Sequence, residues 1–202
     1  MGEVEVARTD AGEAIDAEAA LVARLRARAP EACAELYDRF AVGIHRFAVT
    51  RLAGDVGAAE DVVVETMVWA ARDIARFDPR KSSLAAWVYG IARRRVLLEI
   101  RRRKRLKSVP REAQVSVDVI GDVGDGVDVA EGAAARLDAR SKVAALRAAL
   151  AEVEFDVLVL SCVEELSARE VGQVIRRSER AVHSILHRAK KKARERLVGD
   201  DR

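Results

Sequence analysis

WVYGIARRRVLLEIRRRKRLK, residues 87–107, is the stretch whose reading decides the fold. It holds nine basic side chains (Arg93, Arg94, Arg95, Arg101, Arg102, Arg103, Lys104, Arg105 and Lys107), opposed only by Glu99. Apolar residues still recur through it at helical spacing, with Val88, Ile91 and Leu98 on one line and Trp87 and Ile91 on another. The spacing predicts a helix with a buried stripe rather than a loose basic tail. A cationic helix face with two aromatic rings near its start suits a nucleic-acid strand, phosphates meeting the arginines and unstacked bases meeting the rings. The plainer alternative is a solvated, charged helix end.

The rest of the chain agrees with a helical reading. Of 202 residues, 50% are hydrophobic but only 4% aromatic, and Ala, Val, Leu and Arg dominate. With three prolines in all, long helices go uninterrupted. The net charge of +3 hides a strong asymmetry. Residues 1–16 are acidic, as is the middle of the chain, whereas positive charge gathers at 93–107 and 188–196. Such blocks mark partner-binding surfaces. Cys33 and Cys162 each fall in an apolar-periodic stretch and read as small buried hydrophobes. No CxxC pair points to zinc or redox chemistry. No apolar run reaches membrane-spanning length and the N-terminus lacks a signal-peptide pattern, so a cytoplasmic protein is expected.

The expected organisation is all-α, with two small helical domains joined by a flexible acidic linker. Residues 1–16 form a disordered acidic arm, 17–106 the first domain, 107–137 the linker, 138–198 the second domain and 199–202 a tail. In the first domain, helices are predicted from Ala17 to Arg28, from Pro30 to Leu52 and from Ala58 to Ala75, before the basic helix. The second carries Leu36, Tyr37, Phe40, Ile44 and Phe47 on its apolar face, and the third Val62, Val63, Thr66, Met67 and Ala70. The linker, rich in Gly, Val and Asp, shows no helical period, though a short strand could lie within it.

SAREVGQVIRRSERAVHSILHRAKKKARERL, from Ser167 to Leu197, has the layout of a helix-turn-helix. Ser167 and Glu170 form a capping box at the first helix, with Val171, Val174 and Ile175 inward. Ser178 caps the second helix, whose buried side is Val182, Ile185, Leu186 and Ala189. His183 and His187 stand four apart, a spacing that could bind metal. No partnering acid or thiol pattern accompanies them, so no metal site and no cofactor are expected, and no catalytic chemistry is visible.

Two motif sets in order resemble the extracytoplasmic-function type of bacterial RNA polymerase sigma factor, in the sigma-70 family. The first is AEDxVxET at Ala59, Glu60, Asp61, Val63, Glu65 and Thr66, followed by FDP…S…AWxYxIAR at Phe77, Asp78, Pro79, Ser83, Ala86, Trp87, Tyr89, Ile91, Ala92 and Arg93. The second is VLxLxxVExLSxxE over Val157–Glu170, followed by SxxxVxSxLHRAKK over Ser178–Lys191. The sequence departs from the family pattern at Val64 (usually Gln), Arg94 (Asn), Arg176 (the turn Gly), Arg180 and Ala181 (Gly and Thr), and Ile185 (Arg). If the Arg176 position needs a left-handed backbone, the departure costs about 1 kcal/mol.

The resemblance implies a chain that binds core RNA polymerase, recognises promoter DNA at two elements and helps open the duplex, often under the control of an anti-sigma factor. It places the downstream element on Asp78, Arg80, Lys81, Ser82, Ser83, Trp87, Tyr89, Arg93 and Arg94, with Arg101, Arg102 and Arg105 tracking phosphate. The upstream element falls to Ser178, Glu179, Arg180, His183, Ser184, His187, Arg188, Lys190 and Lys191. Polymerase would be met by Glu60, Asp61, Val63, Val64, Glu65 and Thr66. The competing reading is a sigma-like or helix-turn-helix regulator that acts without conventional promoter melting.

Overall fold

Every regular element among the described residues is helical. The computed structural model describes the backbone of residues 16–108 and 130–199, and the side chains of residues 16–106 and 138–197. The expected acidic arm and most of the expected linker, with any short strand in it, lie outside the described residues.

The first unit begins with α1, residues 16–26, which buries Leu21, Val22 and Leu25. It stops where Arg28 turns left-handed at φ 58 and the Ala29 N–H donates back to the Arg24 carbonyl. Pro30 then opens α2 (Pro30–Arg51) in the first turn, where its missing N–H costs nothing. Leu36, Phe40, Ile44 and Phe47 form the buried line of α2. Tyr37 does not join it: one residue off that line, it is 51% exposed. A left-handed pair, Ala53 and Gly54, reverses the chain, and the Asp55 carboxylate accepts the Ala58 N–H at 2.9 Å to cap α3 (Val56–Asp73). Val62, Val63, Thr66 and Ala70 face inward as expected, and Met67 packs at the edge. After a short 3-10 turn, Ile74–Arg76, and a loop, α4 runs over Leu84–Ser108, three residues earlier than the quoted stretch. Its stripe is Leu84, Val88, Ala92 and Val96, and Leu98 lies outside it at 45% exposure.

The second unit holds α5 (Ala130–Ala149), α6 (Glu152–Cys162), α7 (Ala168–Ile175) and α8 (Glu179–Gly199). Helix α5 thus starts within the stretch assigned to the linker. Burial of Val171, Val174 and Ile175 on α7 and of Val182, Ile185 and Ala189 on α8 joins the two into a helix-turn-helix, with Leu186 partly covered. The two units share one continuous apolar core, and α7 packs directly on α4.

Both cysteines are exposed, contrary to the reading of them as buried hydrophobes. Cys33 lies one turn before Tyr37 on the same outward line of α2, and Cys162 is the last residue of α6. Their apolar neighbours set the period, but the thiols sit off its buried phase.

Candidate nucleic-acid and polymerase interfaces

The turn of the helix-turn-helix is the most tightly specified local structure. The Ser167 hydroxyl accepts the Glu170 N–H at 3.2 Å while the Glu170 carboxylate accepts the Ser167 N–H at 3.0 Å, completing the expected capping box. Burial alone would raise the Glu170 carboxyl, but hydrogen bonds from Ser167 and Ser83 hold it below its ordinary value. Helix α7 then ends at Arg176 with φ 57 and ψ 52, the left-handed conformation that the missing Gly raised as a question. The Arg177 N–H donates to the Gly172 carbonyl at 2.8 Å. Gly172 is needed here, since a Cβ would stand 2.6 Å from the Arg177 carbonyl oxygen. The Ser178 hydroxyl receives the Ala181 N–H at 3.3 Å and starts α8.

The capped start gives α8 two opposed faces. Val182, Ile185 and Ala189 are buried, whereas Ser178, Glu179, Arg180, His183, Ser184, His187, Arg188, Lys190 and Lys191 are all exposed. The residues assigned to the upstream element therefore share one solvent-facing surface. Its local pairs are loose: His183 Nε2 lies 3.9 Å from Glu179, and Lys191 lies 4.0 Å from Glu195. Lys192 instead turns inward to Glu154, at 2.8 Å, and that carboxylate also caps α6 through the Ala151 N–H. Lys192 and then the Ala151 N–H hold the Glu154 carboxyl below its ordinary range.

The loop before α4 is also a built structure. Asp78 accepts the Arg80 N–H at 3.0 Å, which, ahead of nearby Lys81, lowers its carboxyl. The Ser83 hydroxyl accepts the Ala86 N–H at 3.1 Å, and Glu18 of α1 accepts the Leu84 N–H at 2.9 Å, so these side chains satisfy two of the free amides of α4. Trp87 is half-buried, its ring tilted on Phe77 with centroids 5.4 Å apart. Tyr89 is buried against the edge of Phe47 and donates its hydroxyl to Glu164 of the second unit at 2.8 Å. Burial first, and then Glu164, push the Tyr89 hydroxyl far up. Tyr89 is thus closed to a base in this arrangement, whereas Trp87 is only partly covered.

Along α4 the cations divide. Arg94 and Arg101 are exposed. Arg93 donates to Asp156 of α6 at 2.7 Å. Glu99 accepts from Arg102 Nε at 2.7 Å and from Arg103 Nε at 2.7 Å, and Arg103 continues to Asp55 at 2.7 Å. These bonds, led by that from Arg102, bring the Glu99 carboxyl down to about 2. The single acid of the basic helix is thus a strut between α4 and the cap of α3, and it neutralises part of the charge seen in the sequence. Asp55 is itself lowered, first by the Ala58 N–H and then by Arg103, against burial.

On α3, Glu60, Asp61, Val64 and Glu65 are exposed, while Val63 (5%) and Thr66 (0%) lie in the core. A partner on this face would meet the first four, and Val63 and Thr66 would act only by supporting them. Val68 and Trp69 extend the same surface, with Trp69 ringed by the Arg95 and Arg72 guanidinium groups at 4.5 and 5.6 Å. Nothing in the basic stretch points to Trp69, although it stands four residues after Glu65 on the same helix. Sequence reasoning also missed Arg46, Arg51, Asp156, Glu164 and Gln173, which join the two units. Asp156, fully buried, lies 2.8 Å from Arg51 and 2.7 Å from Arg93. Burial pushes its carboxyl up, against the pull of the two guanidinium groups. Among the described residues no group of three or more His, Cys, Asp or Glu is placed to hold a metal ion, and no helix is long and apolar enough to cross a membrane.

Residues 36–106 match the family model of sigma-70 region 2, and residues 141–192 match that of sigma-70 region 4, together well over half of the chain. A curated relative, the ECF RNA polymerase sigma factor BldN of Streptomyces coelicolor (strain ATCC BAA-471 / A3(2) / M145), is 29% identical over 182 residues, which is 90% of this chain. The chain spans 66% of that relative's length. Among solved structures, CnrH in complex with the cytosolic domain of CnrY is similar with a TM-score of 0.65 and 24% identity, over 91% of this chain and 99% of that one. The sigma factor RpoE in complex with the anti-sigma factor NepR from Bartonella quintana is similar with a TM-score of 0.57 and 18% identity, over 81% and 96%. These two likenesses are of fold. With both motif sets, both family matches and the capped helix-turn-helix in one order, the chain belongs to the sigma-70 family of RNA polymerase sigma factors and is of the extracytoplasmic-function type.

Proposed function

We propose that this chain directs core RNA polymerase to promoters, reading the upstream element as duplex with α8 and gripping an opened strand of the downstream element with α4 and the loop before it. The observation that carries the proposal is the two-faced α8. Its capped start presents Glu179, Arg180, His183 and Ser184 to solvent at the end of the helix that enters a major groove, with Arg188, Lys190 and Lys191 beyond them for phosphate. Core polymerase docks on the exposed acidic and apolar face of α3, Glu60, Asp61, Val64 and Glu65, where Val64 supplies an apolar contact in place of an amide. Strand capture by Trp87, Tyr89, Arg93 and Arg94 belongs to the same reading, supported by the likeness of residues 36–106 to sigma-70 region 2, one stacked base contributing about 1–3 kcal/mol. An anti-sigma partner completes the reading; one protein of similar fold was solved with an anti-sigma factor, and another with the cytosolic domain of CnrY.

In vitro transcription with core polymerase on fragmented native DNA tests the proposal. Discrete, chain-dependent start sites are expected, and Arg180→Ala is expected to change their relative use. The absence of any chain-dependent start site would overturn it.

A further inference from the structure

The turn of the helix-turn-helix is a basic ridge between two grooves. On one side Arg169, Gln173, Arg176, Arg177, Ser178 and Glu179 line a groove of about 530 Å³. On the other, a groove of about 730 Å³ runs along Arg177, Ser178, Arg180, Ser184 and Arg188 to the start of α6. Arg177 and Ser178 line both and so form the crest. Packing beneath sets the ridge. Val174 and Ile175 are buried, which turns the next two residues outward, and the Arg177 N–H reaches the Gly172 carbonyl only because Gly172 has no side chain in the way.

Arg169, Arg176 and Arg177 are exposed, and among the described residues none of their guanidinium groups has a hydrogen-bond or ion-pair partner. The nearby acids are engaged elsewhere, Glu170 by Ser167 and Ser83, and Glu154 by Lys192. Among the residues lining the first groove, Glu179 is the only carboxylate, against three arginines. Crowded like charges repel, and Arg176 adds the strain of φ 57, which glycine would avoid. Nothing among the described residues offsets either, so the matching anion belongs to a partner.

We infer that Arg169, Arg176 and Arg177 form a backbone clamp for duplex DNA, holding phosphates beside the segment whose bases α8 reads. This deepens the proposed role of α8 and rests on it. A planar guanidinium meets a phosphate through two parallel hydrogen bonds, so three of them suit a run of phosphates. Continuity with the reading face commits the clamp to DNA. Ser178, Glu179 and Arg180 open that face, and they share the two grooves with Arg176 and Arg177. The clamp positions the helix and carries no sequence information of its own.

Phosphate contacts are indifferent to sequence, so a fluorescent duplex of random sequence, about 30 base pairs long, is a sufficient probe for the full chain. A contact that releases about 0.9 counterion contributes about eightfold in affinity at 0.1 M salt and about threefold at 0.3 M. Arg176→Gly is expected to weaken binding by about those factors and to flatten the plot of log affinity against log salt by about 0.9. Arg169→Ala with Arg177→Ala should flatten it by about 1.8, and Arg176→Lys, which keeps a cation, should leave the slope as it is. Glycine suits a left-handed backbone, so affinity lost in Arg176→Gly is not lost to unfolding.

Arg28 supplies the matched control, being left-handed, exposed and outside both grooves. Arg28→Gly removes the same charge and the same strain and is expected to leave the slope unchanged. Equal losses in the two glycine variants mean bulk charge and overturn the clamp. An unchanged slope in Arg176→Gly or in the double variant also overturns it. So does loss of core-polymerase binding with duplex binding intact, which assigns the cluster to a protein partner. Lys190→Ala, measured alongside, separates the two levels. If it flattens the slope and the arginine variants do not, the clamp alone fails; if none of them does, the duplex reading of α8 fails with it.

Discussion

Arg176→Gly should stabilise this protein, because the residue holds a backbone conformation that its own side chain opposes. At φ 57 and ψ 52 it lies in the left-handed region, where the Cβ of an L-residue crowds the following carbonyl at a cost of about 1–2 kcal/mol. Glycine removes that cost but adds freedom to the unfolded chain, an offset of about 0.5–1 kcal/mol. The net gain is therefore between about 0 and 1.5 kcal/mol, centred on about 0.75 kcal/mol. The backbone bonds to the Gly172 carbonyl do not depend on the side chain, so the turn itself is retained. Arg176→Ala is the decisive control, since it deletes the exposed side chain but keeps the Cβ and hence the strain. Urea unfolding of the full chain, followed by far-ultraviolet circular dichroism, should rank glycine above both arginine and alanine, with arginine and alanine nearly equal. If alanine stabilises as much as glycine, the effect belongs to the side chain and the strain argument is wrong.

Gly172→Ala should act in the opposite sense, because its Cβ would meet the Arg177 carbonyl at 2.6 Å; a loss of about 1–3 kcal/mol in the same urea experiment is expected. Glu99→Gln should cost about 1 kcal/mol at pH 7, discounted for the exposed Arg102 partner. The folded carboxyl titrates near 2 and the unfolded one near 4.5, so between these values the unfolded chain binds more protons. The wild-type advantage is therefore full above pH 4.5 and shrinks as pH falls towards 2, which melting curves at pH 7, 5, 4 and 3 would reveal; a gap that widens with acid contradicts the strut. Lys190→Ala on the exposed face of α8 should weaken duplex binding by the polymerase-bound chain at every promoter alike. It should also flatten the plot of log affinity against log salt by about 0.9; an unchanged slope removes Lys190 from the phosphate contacts.

The fold was legible because its signals are local. Ser167 with Glu170 at α7 and Ser178 at α8 satisfy amides within four residues, and Pro30 fits the first turn of α2 because it has no N–H to satisfy, so their effect can be read along the chain. Helical periodicity likewise gave the cores of α2, α3, α7 and α8. It failed by a single phase step at Tyr37, Cys33 and Leu98, where an apolar or thiol side chain stands just off the buried line. Arg176 shows the limit from the other side. The sequence raised the question of backbone strain, and only the turn geometry could answer it.

What could not be read is which charges are spent inside the molecule. Nine cations on one helix look like a uniform patch, yet Glu99 takes up Arg102 and Arg103, and Asp156 takes up Arg93 across 63 residues of chain. Asp156 did leave a trace. An acid inside the run from Phe155 to Leu160 is costly to bury unless it is paired, so its presence announces a partner. It does not say that the partners are Arg51 and Arg93, because those lie on other helices brought near only by the docking of the two units. The same docking hides Tyr89 and clasps the 78–83 loop. Counted from sequence, α4 is a strand-binding surface; seen in the fold, its central cation and one of its two rings already have occupants.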